Sequence, residues 1–292
     1  MLRRGGCRHP PAAGRVAYAV HPVVQKGSNH GGSIGGRGCV KPDEVRLLAE
    51  TEESFWWHRG RQRIVRRLLN RFVAPDARVL DIGCGPGGTT LAYASGRAVL
   101  GTDSSPESLR WARQRGLTVA AMDASRLAVA SQSVDAVVAL DILEHVPDDA
   151  AVVREAYRAL RPGGVLVLTV PAYQFLWSSH DEAVGHLRRY TRRPLVRMVQ
   201  EAGFQITVGE YTMAAILPAA IVVRLAERLR PPVAEPKAKF TPLPRPVSAI
   251  LERIVGLGPI PIPLVPVPFG LSIVIVACRP QDRPGGGATS DG

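Results

Sequence analysis

Residues 79–88 read VLDIGCGPGG, and this stretch decides the fold of the chain. A short apolar strand contains Asp81, and three glycines follow at alternate positions, Gly83, Gly85 and Gly87. Glycine has no Cβ, so such a loop turns sharply and lets the backbone approach a ligand. The next residues predict a helix start, where free N–H groups bind polar ligands. The spacing is not the dinucleotide pattern Gly-x-Gly-x-x-Gly, and the preceding acid favours a cationic ligand over a pyrophosphate.

Strands and helices alternate after this loop, and the predicted strands end in polar residues. The strand ends are Asp103-Ser104, Asp123-Ala124 and Asp141, and a Leu-Arg-Pro-Gly-Gly turn at 160–164 leads into a buried fifth strand. Asp103 lies about twenty residues past the loop, the offset of an acid that binds ribose hydroxyls. The alternation predicts an α/β fold with a doubly wound, mostly parallel sheet. Ligands of such sheets bind beyond the carboxyl ends of the strands, where these residues lie.

The glycine loop, the strand-end acids and the Leu-Arg-Pro-Gly-Gly turn together resemble the class I methyltransferases that use S-adenosylmethionine. The resemblance covers about residues 44–211 and resumes at 269–279. It implies a Rossmann-like sheet of seven strands, in which the last strand, at 271–278, runs antiparallel between the fifth and the sixth. It also implies S-adenosylmethionine as the cofactor.

The resemblance assigns cofactor contacts to the strand ends. Five residues at the first strand are assigned to the methionine end of the donor: Asp81, Gly83, Cys84, Gly85 and Gly87. Asp103 is assigned to the ribose, with Ser104 beside it. Asp123 and Ala124 are assigned to the adenine, and Asp141 borders the amino acid part. Cys84 is expected to be a small packing residue rather than a nucleophile.

Two histidines are candidates for the chemistry. If the acceptor is a hydroxyl, a base must take its proton, and His145 follows the fourth strand at the expected methyl end of the cofactor. His186 is the second candidate, although His145 could instead only pack its loop. A metal is another alternative, because Asp141, Glu144 and His145 at i, i+3 and i+4 could share a helical face and bind Mg²⁺ or Zn²⁺. Ubiquinone-pathway O-methyltransferases have a similar acidic-x-x-Glu-His pattern, but the shorter Asp141 weakens the case, and we assign no metal.

A dense polar cluster follows the fifth strand. Its candidate acceptor-binding residues are His180, Arg188, Arg189 and Tyr190, and His186 lies among them. We expect this segment to be a lid or to bind the acceptor. The alternative is a solvated loop whose arginines pair with neighbouring acids.

The predicted activity is transfer of a methyl group from S-adenosylmethionine to a small-molecule or lipid-like acceptor, with oxygen as the expected methylated atom. One alternative is a non-catalytic protein that keeps the cofactor fold, but the intact loop and acids argue against it. A nucleic-acid or protein methyltransferase is the other. The Asn-Pro-Pro-Tyr type of motif used on bases is absent after the fourth strand.

The formal charge of +12 does not indicate a nucleic-acid partner, because of where the charge lies. Residues 1–42 carry seven basic and no acidic residues, are rich in glycine and proline, and contain no interleaved aromatics. We therefore interpret them as a disordered basic tail, followed by a methyltransferase domain at 43–280 and a second disordered tail at 281–292. The four cysteines show no paired or metal-ligand spacing, which favours a cytoplasmic location.

The segment 212–268, before the last strand, is unusual for such a domain. An apolar run at 213–223 is followed by arginines and then by recurrent prolines. The run is too short to span a bilayer of about 30 Å. It could form a hairpin over a greasy acceptor pocket, or a peripheral membrane contact with its basic residues at the headgroups. It could also be a helical pair packed on the core of the domain itself.

Overall fold

The computed structural model describes residues 42–229, 243–256 and 268–281. The strands are β1 (Arg78–Ile82), β2 (Ala98–Asp103), β3 (Thr118–Ala121), β4 (Val134–Leu140), β5 (Leu160–Pro171), β6 (Gln205–Thr212) and β7 (Ser272–Cys278). The helices are α1 (Pro42–Thr51), α2 (Trp56–Phe72), α3 (Gly88–Ala94), α4 (Pro106–Gln114), α5 (Asp149–Ala159), α6 (Ser179–Ala183), α7 (Arg192–Glu201), α8 (Leu217–Arg228) and α9 (Arg245–Gly256). The predicted tails, 1–42 and 281–292, lie outside the described residues, apart from Pro42 and Gln281.

The seven strands form one sheet in the order β3-β2-β1-β4-β5-β7-β6. Strands β1 to β5 pair in parallel, whereas β7 runs antiparallel to both β5 and β6. The predicted fold, including the position of the last strand, is therefore confirmed. The chain winds in opposite directions from the neighbouring strands β1 and β4, and their carboxyl ends form the crevice that binds ligands in such sheets.

Two hydrophobic cores cover the two faces of the sheet. Successive residues of β1 point to opposite faces, so that Val79 belongs to one core and Leu80 to the other. The apolar residues of α2 pack on the face that contains Val79. Those of α5 and α7 pack on the face that contains Leu80. Because both faces are covered, the central strands are apolar throughout, as in other parallel sheets.

The Leu-Arg-Pro-Gly-Gly stretch differs from the prediction. We predicted a turn before the fifth strand, but β5 already begins at Leu160, which pairs with Val134. The register then shifts, and Val165 pairs with Ala136. The residues between form an irregularity, in which Gly163 adopts a φ of +78° that glycine tolerates.

The segment 212–268 contains two helices with different surroundings. Helix α9 packs on α2: Val255 is fully buried, and a Cβ at Gly60 would lie 2.4 Å from its side chain. Glu252 of α9 pairs with Arg59 at 3.1 Å and Arg63 at 2.6 Å. Helix α8 buries only Leu217. The expected packing on the core therefore holds for α9 but not for α8. Residues 230–242 and 257–267 of the segment lie outside the described part.

No helix within the described residues is both long and apolar enough to cross a membrane.

Candidate active site

The glycine loop joins β1 to α3, and its glycines have two different roles. A Cβ at Gly87 would lie 2.5 Å from Leu117, so this glycine permits close packing. A Cβ at Gly85 would meet nothing within 4 Å. Both residues have positive φ, +89° and +55°, which other residues resist. Gly85 therefore presents its backbone to open space, where a ligand can approach it.

Asp103, at the end of β2, connects two loops of the candidate site. One carboxylate oxygen accepts a hydrogen bond from the Gly85 N–H at 3.0 Å, and the other accepts one from the Ser105 N–H at 2.8 Å. Burial raises the pKa of this carboxyl. Ser104 is exposed beside it. The carboxylate is thus held next to the glycine loop, and its contact with a ribose stays a prediction.

Asp81 and Cys84 are more enclosed than the sequence indicated. Asp81 Oδ2 accepts hydrogen bonds from the Thr90 hydroxyl at 2.5 Å and from the Tyr93 hydroxyl, which fastens α3 to β1. Burial raises the pKa of Asp81 to about 6. Cys84 is buried against Gly101, and burial raises the pKa of its thiol, as suits a packing residue.

Helix α1 is tied to the glycine loop by a pair that sequence reasoning missed. Glu52 accepts a hydrogen bond from the N–H of Gly88, the first residue of α3, at 3.0 Å. Arg115 binds Glu52 at 2.7 Å and the carbonyl of Pro86 at 2.8 Å. These contacts join residues that are far apart along the chain, and we find no sequence signal for them.

The two residues assigned to adenine lie at the end of β3. Asp123 is exposed, and its Oδ1 accepts hydrogen bonds from the backbone and the hydroxyl of Ser125. Ala124 is half-buried and packs against the core on one face of the sheet. Both remain at the same edge as the glycine loop, and their contact with adenine stays a prediction.

Asp141 follows β4 with a φ of +50°, which is uncommon for a residue other than glycine. It pairs with Arg61 of α2 and accepts a hydrogen bond from the Thr169 hydroxyl at 3.0 Å. Arg61 was not foreseen as its partner, although it belongs to the aromatic and basic segment that precedes the first strand. Because Asp141 is engaged in this way, it does not complete the metal group that the sequence suggested with Glu144 and His145.

A different group of three side chains meets just after Asp141. Glu144 and His145 form a short 3₁₀ turn, Leu143–His145, and His186 reaches them from the segment after β5. One ligand atom from each residue lies within 4.8 Å of the others. The rings of His145 and His186 meet edge to face, with centroids 4.8 Å apart. The structure thus brings together both histidines that were predicted to be catalytic.

Glu144 and His145 lack partners for key atoms. Among the described residues, neither carboxylate oxygen of Glu144 nor Nδ1 of His145 has a hydrogen-bond partner, and Glu144 is fully buried. Burial raises the pKa of Glu144 to about 8. Burial, together with the charge of His186, lowers the pKa of His145 to about 3.

The residues 178–190, which we name the covering segment, are organised around Asp181. Arg189 binds both Asp181 oxygens, at 2.8 and 2.9 Å, and His186 Nδ1 lies 2.7 Å from Oδ1. Ser178 donates to Oδ2 from its backbone N–H and its hydroxyl. Burial opposes ionisation, but these bonds hold the pKa of Asp181 below its usual range. The Leu187 N–H donates to the Glu144 carbonyl at 2.7 Å, which fixes the covering segment over the turn.

Two further predicted acceptor residues, Arg188 and Tyr190, also have structural partners. Arg188 pairs with Asp149 at 2.9 Å, and the Tyr190 hydroxyl donates to the same carboxylate at 2.8 Å. His180 is half-buried, and burial lowers its pKa to about 4. Arg189 and Tyr190 therefore fold the covering segment onto the domain. A direct contact of any of these residues with an acceptor stays a prediction.

The sheet order, the open glycine loop and the acids at the strand ends define a class I methyltransferase fold. The sequence profile of a family described as methyltransferase domain matches residues 56–208, which is more than half of the chain. The chain belongs to this family, as an S-adenosylmethionine-dependent methyltransferase.

Individual relatives agree with this assignment. A probable S-adenosylmethionine-dependent methyltransferase of Mycolicibacterium smegmatis is 30% identical over 59% of this chain and 68% of its own. A ubiquinone biosynthesis O-methyltransferase of Xanthomonas campestris is 38% identical over 34% of this chain and 45% of its own. The chain thus spans about two thirds of the length of the first of these relatives and less than half of the second.

Solved structures share the fold. The complex between the Haloferax volcanii Trm112 methyltransferase activator and a methyltransferase contains a chain that superposes with a TM-score of 0.53. The match covers 82% of this chain and 98% of that chain at 20% identity, and it shows the fold alone.

S-adenosylmethionine is the cofactor of the family, and the residues present fit it. The open backbone at Gly85 allows close approach, and the Asp103 carboxylate beside it can accept hydrogen bonds from hydroxyls.

Proposed function

We propose that the protein transfers a methyl group from S-adenosylmethionine to an oxygen of a small-molecule or lipid-like acceptor. The observation that carries this proposal is the position of Glu144, His145 and His186. They meet beyond the carboxyl end of β4, beside the strand whose end forms the glycine loop. A hydroxyl acceptor must lose its proton during transfer, and these side chains are the groups available to assist that loss.

Besides assisting proton loss, the protein must align the methyl donor with the acceptor. S-adenosylmethionine supplies an already activated methyl group when it is bound. Gly85 and Asp103 would hold the donor, and the covering segment would exclude water above the reacting atoms. Fixing donor and acceptor in line can supply several orders of magnitude of rate. The name of the Xanthomonas relative, an O-methyltransferase, supports oxygen as the methylated atom.

The test is product analysis with methyl-labelled S-adenosylmethionine. The purified protein is offered aromatic acceptors that share one skeleton and carry a hydroxyl, an amine, a thiol or a carboxylate, each with and without an alkyl chain. We expect label on the hydroxyl, with faster transfer to the alkylated member. Asp103→Ala serves as the control that should lose transfer at low donor concentration. Label confined to the amine, or only to protein or nucleic acid, would contradict the proposal.

A specific observation favours a lipid-like acceptor and a peripheral membrane contact. Val222 and Leu225 of α8, and Leu229 directly after it, are 65%, 54% and 88% exposed. The spacing i, i+3 and i+7 places them on one helical face. Arg228 lies beside them, and its side chain donates to the carbonyl of Phe175, itself half exposed. Such a face suits shallow insertion among anionic headgroups.

Vesicle sedimentation tests this contact. Replacing Val222, Leu225 and Leu229 together with serine should reduce binding to anionic vesicles and leave S-adenosylmethionine affinity unchanged. The matched control replaces Val247 and Ile250, exposed apolar residues of α9, with serine. Equal binding by all three proteins would remove the membrane contact from the proposal.

A further inference from the structure

The group of Glu144, His145 and His186 is incomplete as it stands. Glu144 is fully buried, and among the described residues neither of its oxygens has a hydrogen-bond partner. A buried polar group without a partner is unfavourable, and native proteins retain such groups where a ligand supplies the missing contact. His145, whose Nδ1 also lacks a partner among the described residues, belongs to the same group.

The neighbouring charges are already matched, and Glu144 is not. Two arginines lie near enough to influence it, Arg61 and Arg189. Arg61 pairs with Asp141, and Arg189 binds Asp181 through two hydrogen bonds. Each arginine therefore has its own carboxylate. Neither arginine therefore supplies the contact that the Glu144 oxygens lack among the described residues.

The His186 ring is oriented as a metal-bound imidazole is. His186 Nδ1 lies 2.7 Å from Asp181, which leaves Nε2 facing Glu144 at 3.9 Å. Asp181 is itself held by Arg189 and Ser178. A carboxylate that binds the outer nitrogen of a histidine fixes the ring and is the usual support of a metal ligand.

We propose that Glu144, His145 and His186 bind one divalent cation of the zinc type. Two imidazoles and one carboxylate form a ligand set that suits Zn²⁺, Fe²⁺ or Co²⁺ and leaves a position open. Mg²⁺ is disfavoured because it prefers oxygen ligands in an octahedral arrangement. The set differs from the group suggested by sequence, because His186 replaces Asp141.

The inference rests on the proposed function, since the open position would take the acceptor oxygen. A bound cation lowers the pKa of such an oxygen, so the hydroxyl proton leaves to water. The oxygen then forms a bond to the methyl carbon while the carbon–sulfur bond of the sulfonium breaks. The sulfur keeps that electron pair and leaves as a neutral thioether. His145 and His186 would act by holding the cation rather than by taking the proton themselves.

Co²⁺ and Zn²⁺ are the probes, used on chelator-stripped full-length protein without acceptor. We expect one Co²⁺ per chain with visible absorption bands of a four- or five-coordinate site, displaced by Zn²⁺ and not by Mg²⁺. Glu144→Gln and His186→Asn should each abolish these bands, while His180→Gln, on the same segment, should retain them. Circular dichroism and S-adenosylmethionine affinity of each variant establish that it is folded.

Two results would overturn the inference. The first is a failure of Co²⁺ to bind with a stoichiometry of one per chain. Binding that survives His186→Asn in a folded variant counts equally, because it would place the cation elsewhere on the chain. The second is methyl transfer at the full rate in stripped protein with chelator present. That second result would leave the proposed O-methylation intact. If transfer to every hydroxyl acceptor fails while the cation binds as expected, the proposed function is contradicted. The cation site itself would still stand.

Discussion

Two carboxylates of the candidate site differ in their hydrogen bonding: Asp103, beside the glycine loop at the proposed cofactor end, and Glu144, after β4 at the proposed acceptor end. At the cofactor end, Asp103 accepts hydrogen bonds from Gly85 and Ser105 with its two oxygens. At the acceptor end, Glu144 is fully buried and has no such partner among the described residues. The Asp103 carboxylate is thus satisfied within the protein, whereas the Glu144 carboxylate lacks at least one contact among the described residues.

This difference separates a preformed pocket from one that a ligand must complete. Donors and acceptors that satisfy one another keep their geometry when no ligand is bound. Unpaired buried groups reduce stability and persist where they serve binding. Asp181 is buried close to Glu144, yet its oxygens are hydrogen-bonded. Burial alone therefore does not distinguish the two carboxylates, whereas the presence of hydrogen-bond partners does.

The largest expected effect is the loss of Asp181. Asp181→Ala leaves Arg189 and His186 buried without their carboxylate, and breaking a buried pair in this way costs about 3–5 kcal/mol. Urea unfolding should show this decrease in the free energy of unfolding. Glu182→Ala, an exposed acid of the same helix, is the control and should change it by less than about 1 kcal/mol. Similar values for both variants would show that the covering segment is not held at Asp181.

Asp81 tests whether the cofactor end is fully satisfied. Its pKa of about 6 in the folded state lies above that of an unfolded aspartate, so the folded state binds the proton more tightly. The resulting stabilisation is full below about pH 4, declines as the pH rises and is lost above about pH 6, a change of about 3 kcal/mol. Unfolding of the wild type and of Asp81→Asn, compared from pH 4 to 7 without cofactor, isolates this group. A difference that does not vary with pH would show that the Thr90 and Tyr93 hydroxyls offset its burial.

Cofactor affinity should depend on Asp103. Losing a charged hydrogen-bonding partner costs about 1.5–3 kcal/mol, so Asp103→Ala should weaken S-adenosylmethionine binding at least about tenfold. Calorimetry measures this change directly. Asp123→Ala should have a smaller effect, because Asp123 is exposed and water screens its interactions. Unchanged affinity in folded Asp103→Ala would end the ribose assignment.

The smallest effect is expected at Glu144. With chelator present, Glu144→Gln removes an unpaired carboxyl and keeps its shape, so the free energy of unfolding should stay within about 1 kcal/mol of the wild type or rise. The same urea unfolding measures it beside Asp181→Ala. A loss as large as that of Asp181→Ala would mean that Glu144 has a structural partner, and the contrast between the two carboxylates would fail.

Much of the fold and part of the site could be predicted from the sequence. The glycine loop and the acids at 81, 103, 123 and 141 depend on turn chemistry and strand periodicity, which are local properties. Once strands and helices alternate, a parallel sheet places those residues at one edge. The start of β5 at Leu160 was missed, because the pairing of Leu160 with Val134 of β4 is not a local property.

The tertiary structure alone decided which charges meet and which helix is covered. Arg61 binds Asp141, and Glu52 binds the N-terminus of α3, across long stretches of chain whose packing no local pattern records. His186 rather than Asp141 joins Glu144 because the covering segment folds around Asp181 and is anchored by its backbone to the turn after β4. Helices α8 and α9 are both amphipathic, yet within the described residues α9 packs along α2, whereas α8 contacts the short turns Gln174–Leu176 and Ala214–Ile216. Local sequence fixes which residues turn or alternate, whereas the partner of a buried charge depends on segments that only the folded chain brings together.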